Sequence, residues 1–131
     1  MSDFKIDGLD HVAIRVENLE ISALWYKKFL GLKIKKTLEW GAFPIFLLAN
    51  KTGVALFPKN AQEDKVKSAV DHFAFRLSNN AFEKAKSKWT DLGLEYKFRD
   101  HIYFHSIYTK DPDDHIVELT TLIEGKEAFY D

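Results

Sequence analysis

The chain has 131 residues, the size of one ordinary domain with a buried core, and is too short for two independent domains. Hydrophobic residues at 46% and charged residues at 30% describe a globular protein, and the absence of Cys excludes disulfides, thiolate metal sites and a Cys nucleophile. Lys plus Arg number 19 and Asp plus Glu number 20, without long blocks of one sign, which argues against a nucleic acid or an anionic membrane and predicts a small-molecule partner.

The N-terminus, MSDFKIDG, lacks the charged-then-apolar pattern of a signal peptide. The longest apolar run, residues 42–49, contains Pro44 and is far shorter than a membrane span. We therefore expect a cytoplasmic protein.

The first structural segment begins at Asp10-His11 with a strand-like run, LDHVAIR, and continues into a helix-like segment. Asn18 can cap the start of this helix, and Gly31 stands where a left-handed C-terminal residue is favoured. One face of the helix is apolar, formed by Leu19, Ala23, Tyr26 and Leu30. Three short strand-like runs follow, at about 32–38, 43–49 and 53–57.

The same order then repeats, beginning with VDHFAFR at Asp71-His72. Asn80, with Glu83 three residues on, is the predicted cap of the second helix, which ends before Gly93. Its apolar face consists of Phe82, Ala85, Trp89 and Leu92, and three strand-like runs follow at about 94–99, 102–109 and 115–121. The sequence thus predicts an α+β protein with one domain, 1–131, built from two βαβββ modules, 8–57 and 70–122, joined by the linker 58–69.

Strand alternation predicts which side chains share a face. His11, Ala13 and Arg15 lie opposite the apolar set that faces the first helix, and His72 holds the same place in the second module. In the last strand, HIVELTT, packing of Val117 and Leu119 under a helix turns Glu118 to the histidine side.

A carboxylate inside an apolar strand needs a compensating charge. His11, His72 and Glu118 form a set of two imidazoles and one carboxylate, typical of a site for one divalent ion: Fe(II), or Mn, Ni or Zn. The alternative is a structural one, in which Glu118 pairs with Arg15 or Arg76 and no ion is bound.

These motifs resemble the vicinal oxygen chelate superfamily of glyoxalases, fosfomycin-resistance thiol transferases, epimerases, extradiol dioxygenases and bleomycin-binding proteins. The carriers are LDHVAIRV, WYKKFLGLKI, VDHFAFRL and HSIYTKDPDDHIVEL, over residues 8–122. The resemblance implies two βαβββ modules paired into a cup-like mixed sheet, a homodimer, and His11, His72 and Glu118 as metal ligands.

Departures from the family patterns narrow the implied activity. The run GVALFPK offers Ala55 or Leu56 where glyoxalase I and the epimerases have a fourth, carboxylate ligand. Ala13 replaces the hydroxyl of the fosfomycin enzymes, and FRDHIYF replaces their cationic, serine-bearing loop, although Ser106 and Tyr108 match. Asp114 stands where the family turn prefers Gly, so it should be left-handed or the turn of another type.

The expected function is that of a metal-dependent lyase, isomerase or dioxygenase whose ion acts as a Lewis acid on a small substrate chelating through neighbouring oxygens. Tyr108 is the expected hydrogen-bond donor and His101 the expected acid or base, with packing as the alternative role for Tyr108. The spacing from His101 to Glu118 is similar to that of extradiol ring-cleavage dioxygenases with Fe(II), which is one alternative; a non-catalytic binding protein is the other. The sequence leaves two sets of side chains without an assigned role. Arg15 and Arg76 are candidates for contacting a substrate carboxylate, and Trp40, Phe43 and Phe46 are candidates for an apolar wall.

Overall fold

In the computed structural model the chain forms two compact units, Met1–Lys65 and Val66–Asp131. The structure describes residues 4–60 and 70–131, so the predicted linker, 58–69, lies outside the described residues from position 61 onward. Within the described ranges, each unit combines a four-stranded mixed sheet with an α-helix that follows its first strand. The predicted α+β class and the two βαβββ modules are therefore confirmed.

The first unit has its strands in the order β1-β4-β3-β2. β1 runs parallel to β4, and the other neighbours are antiparallel. The elements are β1 (His11–Val16), α1 (Leu19–Leu30), β2 (Lys33–Lys35), β3 (Ile45–Ala49) and β4 (Thr52–Pro58).

The second unit repeats this topology with the strand order β5-β8-β7-β6. β5 is parallel to β8, and the remaining pairs are antiparallel. The elements are β5 (His72–Arg76), α2 (Asn79–Asp91), β6 (Lys97–Asp100), β7 (Phe104–Lys110) and β8 (Ile116–Leu122).

The helix ends show one correct prediction and one wrong one. The side chain of Asn18 accepts from the backbone N–H of Ile21 at 2.9 Å, as a helix cap should, and Gly31 is left-handed with φ 69. The cap of α2, however, is Ser78 and not Asn80: its hydroxyl accepts from the N–H of Ala81 at 3.1 Å. Ser78, Asn79 and Asn80 are all residue types that cap helices, which makes the start ambiguous in the sequence, and the helix begins after the first of them.

The core lies between each sheet and its helix. In the second unit Phe82 and Trp89 of α2 are fully buried, as are Val117 and Ile107 on the strands beneath. Alternate positions of β8 therefore face the helix, and the intervening ones, Glu118 among them, face the opposite side. This alternation positions the candidate site.

The loop between β6 and β7 also shapes that side of the sheet. Ile102 is left-handed, with φ 75, and its N–H donates to Oδ1 of Asp100 at 2.9 Å. The strand predicted from position 102 accordingly begins at Phe104. No helix within residues 4–60 and 70–131 is long and apolar enough to cross a membrane.

Candidate functional site

The side of the second sheet that faces away from α2 carries His72, Glu118 and Tyr108, and is called the His72 face below. Nε2 of His72 lies 3.0 Å from Oε1 of Glu118, and only 8% of the Glu118 side chain is exposed. Tyr108 is the direct cross-strand neighbour of Glu118. The structure thus brings three of the predicted site residues together on one sheet.

The ring of His72 is oriented by the residue before it. Nδ1 lies 2.7 Å from Oδ2 of Asp71, and since a carboxylate only accepts, Nδ1 donates. In the neutral ring Nε2 then presents a lone pair to Glu118, so that two acceptors face each other. A cation between the two atoms, either a proton on the ring or a metal ion, makes this contact favourable.

The chemical type and the spacing of these two ligand atoms, Nε2 of His72 and Oε1 of Glu118, fit a divalent ion. Imidazole nitrogen and carboxylate oxygen are ligands of first-row metals, and donors about 2.1 Å from an ion at a right angle lie about 3 Å apart. The carboxylate of Asp71, on the other ring nitrogen of His72, is a contact of the kind that commonly orients a metal-bound imidazole.

Tyr108 and His101 form the second half of the His72 face. Nε2 of His101 lies 2.8 Å from the Tyr108 hydroxyl, and the rings of Tyr108 and His72 are 5.8 Å apart. Burial, followed by the charge of Glu118 and a hydrogen bond to it, raises the pKa of Tyr108 above its ordinary 10.0, against smaller opposing effects of Ser106 and Arg99. The phenol therefore keeps its proton at neutral pH and can act as a hydrogen-bond donor.

His11, the remaining predicted ligand, lies in the first unit on the strand equivalent to β5. Its Nδ1 is 2.8 Å from Oδ1 of Asp10, the same contact that orients His72. Beside it stands an aromatic wall: the rings of His11 and Phe46 are 5.0 Å apart, and those of Trp40 and Phe46 5.3 Å. Of the three aromatic side chains predicted to form a wall, Phe46 thus lies beside this histidine, and Trp40 packs against Phe46.

The first unit has no counterpart of Glu118. Ala55 pairs with Ala13 and Phe46 as Glu118 pairs with Ala74 and Tyr108. Ala55 is thus the residue of the first unit equivalent to Glu118, and its side chain cannot coordinate an ion. Within residues 4–60 and 70–131, no three His, Cys, Asp or Glu side chains are grouped so as to hold a metal.

The other histidines lie away from these faces. The ring of His105 lies 5.3 Å from that of Phe98 in a tilted arrangement, and its Nε2 is 3.6 Å from Oδ2 of Asp100. His115 donates from Nδ1 to the buried Asp111 at 2.8 Å, within a turn in which Asp114 is left-handed with φ 67. The left-handed Asp114 is one of the two alternatives expected for this turn.

The two arginines that were considered as carboxylate contacts each lie over an aromatic ring. Arg15 donates to the carbonyl of Pro58 at 3.2 Å and lies over the Phe57 ring. Arg76 lies 5.0 Å over the ring of Tyr130.

Two features of the site were not identified from the sequence: the orienting role of Asp10 and Asp71, and the position of Arg99 near Tyr108. The repeated Asp-His pair was a visible signal for the first. The position of Arg99 depends on the pairing register of β6 and β7, which nothing in the sequence alone determines.

Residues 8–119 match the Glyoxalase/Bleomycin resistance protein/Dioxygenase superfamily, and the chain belongs to this superfamily. It is 31% identical over 134 residues to the metallothiol transferase FosB of Staphylococcus haemolyticus, covering 95% of this chain and 91% of the relative. Among solved structures it is similar to the integron cassette protein HFX_CASS4, from the mobile metagenome of the Halifax Harbour sewage outfall, with a TM-score of 0.72 and 27% identity over 89% of this chain and 100% of that one. The fosfomycin resistance protein FosX of Listeria monocytogenes has the same fold, with a TM-score of 0.71 and 20% identity over 93% and 98% of the two chains.

Proposed function

We propose that this protein is a divalent-metal-dependent enzyme that transfers a thiol to a small electrophile, with His11, His72 and Glu118 as the metal ligands. The observation that carries the proposal is the contact of 3.0 Å between Nε2 of His72 and the buried Glu118 carboxylate. The likeness to a metallothiol transferase along 95% of the chain supports thiol transfer over the lyase, isomerase and dioxygenase reactions of other superfamily members.

The expected metal is Mn, Fe, Ni or Zn, because two imidazoles and one carboxylate suit borderline ions and leave positions for substrate oxygens. When bound, the ion would supply Lewis-acid polarisation of those oxygens. His11 completes the set of ligands from the same chain or from a second copy. The homodimer implied by the family resemblance is part of this proposal.

The chain's own residues supply the positioning and the proton. In thiol addition to an epoxide, the thiolate sulfur bonds to carbon, the C–O bond breaks, and the oxygen takes up a proton. Tyr108 holds a phenolic proton beside Glu118 and can donate a hydrogen bond to the developing alkoxide. His101, 2.8 Å from that hydroxyl, can replace the proton.

The substrate class proposed is a small epoxide with oxygens able to chelate an ion. Fosfomycin, the compound to which the structurally similar FosX is named as a resistance protein, is the first to test. Ala13 and the loop FRDHIYF lack hydroxyl and serine contacts of the fosfomycin enzymes, so the electrophile can differ from fosfomycin in its anionic part.

The test incubates the Mn- or Zn-loaded protein with fosfomycin, or a panel of other epoxides, and with cysteine or glutathione, and measures adducts by mass spectrometry. We expect an adduct with wild type and with His105→Ala, a histidine variant outside the His72 face, and at least a hundredfold less with Glu118→Gln. Equal adduct formation by the Glu118→Gln variant would contradict the proposal.

A second candidate is extradiol cleavage of a catechol with Fe(II), which the contact of 2.8 Å between His101 and Tyr108 favours as an acid and base pair. Anaerobically Fe(II)-loaded protein exposed to catechol and oxygen would then form a yellow ring-opened product. A protein that binds these compounds and converts none of them would instead be a binding protein.

A further inference from the structure

The loop that carries His101 contains a strained turn centred on Ile102. Ile102 has φ 75, and the N–H of Tyr103 donates to the carbonyl of His101 at 2.8 Å, which closes a γ-turn. A γ-turn with positive φ is rare and strained, and a β-branched side chain adds to the strain. In the described part of the chain, the other non-glycine residues with positive φ are Asn50 and Asp114, which are types that adopt this conformation more readily.

The side chain of Ile102 does not hold this turn, because 72% of the residue is exposed. The hydrogen bonds of the loop backbone do. Oδ1 of Asp100 accepts from the N–H of Ile102 at 2.9 Å, and the N–H of His101 donates to the carbonyl of Phe104 at 2.8 Å. Strained backbone persists where the surrounding structure over-determines it, and such places cluster at functional sites.

Further contacts come from three residues near the end of the chain, Ile123, Lys126 and Phe129, called the C-terminal clamp below. The N–H of Ile123 donates to the carbonyl of Tyr103 at 2.8 Å. The ring of Phe129 lies 5.5 Å from that of Tyr103 and 4.8 Å from that of Phe104, and Nζ of Lys126 lies 5.4 Å from the centre of the Tyr103 ring. The clamp thus holds the residue after the strained one by its backbone and by its side chain.

The turn in its strained form fixes the position of His101. The N–H and the carbonyl of His101 are both hydrogen-bonded within the loop, so the direction in which its side chain leaves the backbone is set. His101 is exposed, and its ring would bind water if the backbone moved. Instead Nε2 lies 2.8 Å from the hydroxyl of Tyr108.

We propose that Ile102 and the C-terminal clamp are positioning elements of the site: the clamp keeps the turn at Ile102 strained, and the turn keeps the imidazole of His101 on the Tyr108 hydroxyl. This inference rests on the proposed function, in which His101 replaces the proton of Tyr108. A displacement of about 1 Å at such a contact is enough to lower a reaction rate substantially.

The first unit shows that the fold does not require this strain. The equivalent loop, between β2 and β3, has its positive φ at Gly41, where φ is 72 and no side chain is present. In the second unit a β-branched residue takes the positive φ, next to the histidine that contacts Tyr108. The strain therefore belongs to the loop of the His72 face.

The test removes the clamp with and without the strain. Phe129→Ala deletes the aromatic contacts, and Ile102→Gly relieves the turn, because glycine adopts positive φ about as readily as negative φ. If the clamp acts by holding a strained turn, Ile102→Gly should rescue Phe129→Ala, whereas a merely structural contribution of Phe129 would not be rescued. Phe98→Ala is the matched control, since Phe98 is 48% exposed against 51% for Phe129 and pairs with Ile107 on the helix side of the same sheet.

NMR of the ¹⁵N-labelled, full-length protein, without metal and again with Zn, gives two readouts that need no substrate. One is the hydrogen-exchange rate of the Tyr103 amide, and the other is the ¹⁵N shift of Nε2 of His101, identified by its response to Tyr108→Phe. We expect Phe129→Ala to raise the exchange rate about tenfold and to move the His101 signal to its position in Tyr108→Phe. In the double variant with Ile102→Gly both readouts should return at least halfway to wild type, and the control variant should change neither.

An unchanged His101 signal in Phe129→Ala, an equal change in Phe98→Ala, or a double variant no closer to wild type than Phe129→Ala would overturn the inference. Adduct formation by the same proteins separates the two claims. Phe129→Ala should lower kcat about tenfold with KM within about twofold, and the double variant should recover kcat. Adduct formation with an unmoved His101 signal refutes only the positioning role, and rescue of the signal in a protein that forms no adduct refutes only the thiol transfer.

Discussion

Replacing Asp71 by Asn should weaken metal binding about tenfold, because Asp71 orients and polarises the imidazole of His72. The Nδ1 to Oδ2 contact of 2.7 Å is a charge-assisted hydrogen bond, and outer carboxylates of this kind contribute about 10- to 100-fold to metal affinity. The Asp71 side chain is 85% exposed, so water screens its charge. We therefore expect the lower end of this range of affinities, a loss of about 1.4 kcal/mol in the free energy of metal binding.

Isothermal titration of the metal-free protein with Zn measures this loss, and ¹⁵N NMR of the imidazoles checks its origin. We expect the proton of His72 to stay on Nδ1 in wild type and to distribute over both ring nitrogens in Asp71→Ala, which lacks the acceptor. Asp91→Asn, a change of the same charge at the end of α2, is the control. Zn affinity within twofold of wild type in both Asp71 variants would refute the reasoning.

Three further changes test other contacts. Glu118→Gln should lower the pKa of Tyr108, because it removes the carboxylate charge that raises it. In wild type the stabilisation from the protonated phenol is present below pH 10.0 and is lost as the pH rises through the folded pKa. ¹³C NMR of labelled tyrosine measures the pKa of Tyr108 in both proteins, and an equal pKa in the variant would exclude the contribution of Glu118. Asp111→Ala should cost about 1–3 kcal/mol of unfolding free energy, because the buried carboxylate accepts from two backbone N–H groups and from His115; urea unfolding measures it, and a loss below 0.5 kcal/mol would contradict the role. In the same assay Ser78→Ala should lower the free energy of unfolding by about 1 kcal/mol and Asn80→Ala by much less. The reverse order would show that Asn80 caps α2.

The arrangement of the His72 face was predictable because it follows from the alternation of strand side chains. Val117 and Leu119 must pack under a helix, and this alone turns Glu118 to the side of His72. The repeated Asp-His motif gave the two modules, since a repeat of this length requires a repeated supersecondary unit.

Features that depend on the meeting of separate segments were not predictable. Asp100 and Ile102 form a turn that delays β7 until Phe104, and this turn decides which residue of β6 stands opposite Ser106. Without that register the sequence identified Arg76 as a side chain on this face and overlooked Arg99.

The direct test of the central claim is the metal content of untagged protein after loading with Mn, Fe, Ni or Zn and removal of excess ion, measured by elemental analysis. The account predicts near-stoichiometric metal in wild type and in His105→Ala, and loss of it in His72→Ala and Glu118→Gln. Absence of bound metal in the wild type for all four ions, or full retention in the His72 and Glu118 variants, would contradict it.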